Sequence, residues 1–140
     1  MTLSQLSDSL PNGLHDAKLF GINVCFMAGT AILDVAIDVS TEQMDGYFKD
    51  AEIRLTGLRA ITLDAPGILG PMANALHVRD SNTNEDIFAA FSLVPLHLRH
   101  LYYSLHLAHP CNTYMNIAAE SAEIDWKEDS LREGSARWDE

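Results

Sequence analysis

The chain of 140 residues is 47% apolar and 21% charged, a balance that can bury a core, and its length suits one domain over 1–140. Its 20 acidic residues against 9 lysines and arginines give a net charge of −11. That balance repels a phosphate backbone and sets nucleic acid aside, while it suits a basic protein partner and also serves plain solubility. No apolar run approaches the roughly 18 residues of a membrane span. The opening residues have neither a basic stretch nor a long apolar stretch of the kind a signal peptide needs. The sequence therefore reads as cytoplasmic, with no membrane partner. Cys25 and Cys111 form no Cys-x-x-Cys motif and read as reduced thiols.

Residues 1–11 are rich in Ser and Leu and read as a loosely ordered segment or a short helical turn. Pro11-Asn12-Gly13 is a turn signal that leads into Leu14-His15-Asp16-Ala17. From Lys18, Phe20, Ile22, Val24 and Phe26 alternate with Leu19, Gly21, Asn23, Cys25 and Met27, which predicts a strand over 18–27. The clearest pattern follows. Ala31, Leu33, Val35, Ile37 and Val39 are apolar, while Asp34, Asp38 and Ser40 fall in the alternate set. A period of two with charge on one side marks a strand with one face on a core, here over 31–40. Keeping both apolar sets on one face requires facing residues to sum to an odd number. Phe26 opposite Ala31, Val24 opposite Leu33 and Ile22 opposite Val35 satisfy this with a short connection.

Thr41–Lys49 is polar and reads as a loop. In the next strand Ala51, Ile53 and Leu55 point inward, with a phase slip at Gly57-Leu58 that predicts a bulge before Ile61 and Leu63. Asp64–Pro71 is too rich in Pro and Gly to be regular. Met72–Asp80 alternates weakly, and Ile87–Val94 fits a short helix or a strand. Leu101, Tyr103, Leu105 and Leu107 alternate with His100, Tyr102, Ser104 and His106. After His109-Pro110, Thr113, Met115 and Ile117 alternate with Asn112, Tyr114 and Asn116. An even sum keeps both apolar sets together, and a three-residue loop sets Leu107 opposite Cys111. Residues 127–140 carry mixed charge without apolar period and read as a loose tail. Short strands at hairpin spacing predict a mainly β fold, an antiparallel two-layer sandwich or partly open barrel with minor helix.

Leu10-Pro11-Asn12-Gly13-Leu14-His15-Asp16-Ala17-Lys18-Leu19 resembles the opening of a group of small uncharacterised bacterial proteins, which begin Leu-Pro-Asn/Asp-Gly-Phe/Leu-His-Asp-Ala before their first strand. Asn112–Glu120 and Ala122–Trp126 are similar to the closing hairpin of that group, so the resemblance spans most of 10–126. It implies a mainly β fold and no established activity. The His-Asp-Ala opening also resembles immunity proteins of bacterial toxin systems, which bind and neutralise a cognate toxin. This chain departs from the group in its His-rich stretch 97–109.

Three clusters could carry function. His15 beside Asp16 could act as an oriented base, but neighbours on an extended chain point to opposite faces, and a role in tying the Asn12-Gly13 turn is the simpler reading. His97, His100, His106 and His109 are a second cluster. His100 and His106 lie about 20 Å apart along a strand, too far to share one ion, so no metal site and no cofactor is expected. The third is a polar-aromatic sheet face of Tyr102, His106, Asn112, Tyr114 and Asn116, whose residue types suit contact with a protein. Asp34 and Asp38 read as a solubilising face and as the fallback binding site. No nucleophile elbow, dinucleotide or phosphate-loop motif occurs. The sequence favours a non-catalytic protein-interaction module, with toxin neutralisation as its sharper form. The alternative is a small-molecule or metal-dependent enzyme that uses His15, Asp16 and the later histidines.

Overall fold

The computed structural model describes residues 1–43, 46–63, 76–81, 96–109, 113–127 and 132–133. These residues are mainly antiparallel β with one short helix, and the sheet takes the form of a partly open barrel. Strands β1 (Lys18–Cys25), β2 (Thr30–Asp38), β3 (Tyr47–Leu63), β5 (Tyr102–His109) and β6 (Thr113–Trp126) curl into a half-barrel in the order β1-β2-β3-β6-β5. Strand β4 (Leu76–Ser81) pairs with β5 and meets β1 at only two positions, Lys18 with His77 and Leu19 with Leu76. Strand β7 (Arg132–Glu133) extends the sheet beside the start of β3. The alternation that marks 31–40 holds. Leu33, Ile37, Ile53, Leu55, Leu107, Met115 and Ile117 are fully buried on the concave side.

Of the two readings of residues 1–11, the short helix is the one observed. Helix α1 (Leu3–Ser9) begins with a capping box in which Thr2 Oγ1 accepts from Gln5 N–H and Gln5 Oε1 accepts from Thr2 N–H. Leu3 and Leu6 lie one turn apart on the same face, and with Leu10 and Leu14 they are buried against the sheet. A seven-residue helix is too short to persist alone in water, so this leucine face and its docking hold it. Two links fasten it. Met1 C=O accepts from Ala122 N–H of β6 at 2.7 Å. The buried Ser7 Oγ accepts from Leu14 N–H at 3.2 Å and from Tyr103 Oη of β5 at 2.8 Å.

Both hairpins keep the expected parity, but each register lies two residues from the expected one. In the first, Val24 faces Ala31 and Ile22 faces Leu33, with Cys25 opposite Thr30 closing a four-residue turn, 26–29. Phe26 therefore leaves the strand and stands in the turn. Phe20 is an extra residue between the pairs Leu19–Val35 and Gly21–Asp34, and this bulge switches the phase. Leu19 is buried before it, while Ile22 and Val24 are only half-buried beyond it. In the last hairpin, Leu107 faces Thr113, Leu105 faces Met115 and Tyr103 faces Ile117 around a five-residue connection, 108–112. A shorter turn saves little closure entropy, because that cost grows only with the logarithm of length. The slip expected at Gly57-Leu58 occurs at Arg59, the extra residue between Leu58–Ala119 and Ala60–Ala118.

Strand β3 starts at Tyr47, inside the stretch expected to be a loop, and β5 starts at Tyr102, because Leu96–Leu101 forms a 3-10 turn. All of Asp64–Pro71, all of Ile87–Val94, and Cys111 and Asn112 lie outside the described residues. So does most of 127–140, of which Arg132-Glu133 is paired.

Candidate functional site

Two residues of the expected Tyr-His-Asn patch are buried. Tyr102 is 3% exposed and Asn116 is 9% exposed. The 3-10 turn explains this: Leu98 and Leu101 pack with Tyr102, Ala118 and Ala60 as a second, smaller core on the convex side of the sheet. Beside it, the buried Ser104 Oγ donates to Asn116 Oδ1 at 2.8 Å, and Asn116 Nδ2 donates to Thr62 Oγ1 at 3.4 Å. These polar groups satisfy one another across β5, β6 and β3, as buried polar groups must. His106 is half-buried opposite Tyr114. Asn112 and the Tyr114 side chain lie outside the described residues.

His15 and Asp16 do come together, contrary to an extended-chain reading. Asp16 takes φ 66°, which folds the turn back and sets its Oδ1 3.7 Å from His15 Nε2. That is beyond a hydrogen bond, and both side chains are about half exposed. Asn12 ties the turn to the end of β2, its Nδ2 donating to Asp38 C=O and Ser40 C=O. His97 and His100 are exposed on the 3-10 turn. Among the described residues, no three His, Cys, Asp or Glu side chains are grouped to hold a metal ion. Leu14, Ala17, Leu33, Ile53 and Leu105 line an apolar void of about 10 Å³. Without polar partners it holds no ordered water and is too small for a ligand.

Among the described residues, a row of charged side chains crosses the convex face of β2, β3 and β6. The ladders set Asp34 directly opposite Glu52, and Glu52 directly opposite Asp125. The next row brings Ile32, Arg54 and Glu123 together. Lys127 Nζ pairs with Asp34 Oδ1 at 3.3 Å and Arg54 with Asp125 Oδ2 at 3.4 Å, and Glu52 stands between the two pairs. Like charges directly opposite on a sheet destabilise it by a few tenths to about 1 kcal/mol. Exposed ion pairs return about as much. The row is thus a feature that the fold tolerates and does not need.

At the end of the same strands, the turn after Cys25 presents Phe26 at 87% and Met27 at 98% exposure. Sequence periodicity placed Phe26 on the apolar face of the first strand and missed this tip. The available signal was Gly29, which closes the turn at φ 64° and whose C=O accepts from Leu58 N–H at 2.9 Å.

Fold and surface together define an acidic antiparallel half-barrel sealed by a helix. No family model, curated protein or solved structure matches this chain. Among the described residues no helix is long and apolar enough to cross a membrane.

Proposed function

We propose that the protein is a non-catalytic interaction module that binds a basic protein on the convex face of β1, β2, β3 and β6. The observation that carries this reading is the row Asp34–Glu52–Asp125 across three adjacent strands. Burial of Tyr102 and Asn116 weighs against the polar-aromatic face and favours the acidic one. Strands fixed on both sides present such charges without the ordering cost of a loop. Neutralisation of a basic toxin, which the His-Asp-Ala opening suggests, is the specific form of this activity. The reading is tested by comparing wild type with the triple variant Asp34→Asn, Glu52→Gln, Asp125→Asn. A basic protein retained by the wild type should be lost by the variant, and its retention should weaken as salt rises from 50 to 500 mM, roughly a threefold shortening of the screening length. Equal retention by both chains at every salt concentration would remove this face as the site.

A further inference from the structure

We infer that Phe26 and Met27 are the apolar anchor of this interface and enter an apolar pocket on the basic protein; the inference rests on the reading just given. Two adjacent large apolar side chains, almost wholly in water, are the most exposed of the described large hydrophobic residues. Scattered exposed apolar groups are ordinary, but this pair is held out on a built support. Cys25 opposite Thr30 closes the turn, and the bond from Leu58 N–H to Gly29 C=O fastens it to β3 beside the Arg59 bulge. A tip fixed in this way loses little freedom on binding, which is what an anchor residue requires.

Position and charge identify the occupant. Thr30 at the turn and Asp34 in the acidic row are four residues apart on β2, about 13 Å at the usual strand rise. A standard interface covers about 800 Å² per partner, a disc of about 16 Å radius, so one partner can span both features. A lipid surface fits poorly. Within the hairpin 18–38 the charges are Lys18 at the end away from the tip, Asp34 and Asp38, and near the tip Arg59 is engaged by Glu120. The net charge of −11 repels anionic headgroups and a second copy of the chain alike, while it attracts a basic protein.

The test uses the full chain and three variants: Phe26→Ser with Met27→Ser, Met27→Ser alone, and the triple acidic-row variant. The basic protein retained by the wild type is identified, purified and titrated calorimetrically against each. Both tip variants should melt as the wild type does. The double tip variant should bind at least about 30-fold more weakly, the size of a binding hot spot, and Met27→Ser should fall between. Binding by the double tip variant within threefold of wild type, with the acidic-row variant weakened, would overturn the anchor and leave the acidic face standing. Undiminished binding by the acidic-row variant would overturn the reading beneath it, as would failure of the wild type to retain any basic protein. Phosphatidylcholine or mixed phosphatidylcholine–phosphatidylglycerol vesicles that bind the wild type and not the tip variants would assign the tip to a lipid surface. Tip-dependent dimerisation in sedimentation would assign it to a second copy. Either result overturns the proposal.

Discussion

Ser7→Ala is the sharpest test of how the helix is held. Its hydroxyl accepts from two buried donors, Leu14 N–H and Tyr103 Oη. Removing it takes the shared acceptor from both donors, and at about 1–3 kcal/mol per lost buried bond the expected loss is about 2–5 kcal/mol. With an unfolding entropy of roughly 2.1 cal/mol/K per residue over a chain of this length, 1 kcal/mol corresponds to about 3 °C. The melting temperature should then fall by roughly 7–15 °C. Tyr103→Phe takes away the donor along with its bond and should cost only about 0.5–1.5 kcal/mol. In the double variant one of the two donors is gone, so its loss should be smaller than the sum of the single losses by about 1 kcal/mol or more. Urea unfolding followed by circular dichroism measures all three. Additive losses, or a Ser7→Ala stability within about 0.5 kcal/mol of wild type, would refute the docking of α1 through this hydroxyl.

Gly57 takes φ 61°, and a Cβ there would lie 2.5 Å from Glu120 Oε2 and 2.7 Å from Glu120 Cβ; Gly57→Ala should therefore destabilise by about 2 kcal/mol or more in urea. Gly29 shares the left-handed φ but has nothing within 4 Å of its Cβ position, so Gly29→Ala should cost only about 1–2 kcal/mol in the same titration. Ile53→Ala, at a fully buried position between Leu33 and Ile124, should cost about 2–5 kcal/mol, and a wild-type melting curve would contradict the assigned face. Glu52→Gln relieves the like-charge row and should stabilise by up to about 1 kcal/mol at 20 mM salt, with the gain fading at 500 mM; a loss of stability would show that Glu52 is better paired than its neighbours allow.

The antiparallel fold was legible because alternation survives in the ladders: Asp34 sits outside and Leu33, Val35 and Ile37 inside, as the sequence pattern requires. Parity was legible for the same reason, since one residue of slip would expose a whole apolar face. Exact pairing was not, because registers two apart are equivalent in pattern and differ only in turn length. The bulge at Phe20 left no local mark, whereas the one near Gly57 did. The helix had its signature in Thr2-Leu3-Ser4-Gln5, a capping box that the surrounding serines obscured. Burial of Tyr102 and Asn116 was invisible for a different reason. Alternation tells which side of a sheet a residue faces, but not whether a second layer, here Leu98 and Leu101, covers that side.

The bond between Ser7 and Tyr103 spans 96 positions. At a ribosomal rate of roughly 5–20 residues per second, Ser7 is made about 5–20 s before Tyr103. During that interval Leu3, Leu6 and Leu10 lack β5 and β6, the strands that α1 packs against, and the nascent chain carries them uncovered. A contact between residues so far apart in sequence is expected to form late in folding. Helix α1 thus waits on the β5–β6 hairpin, and holdase chaperones have their clearest opportunity in the gap between the two.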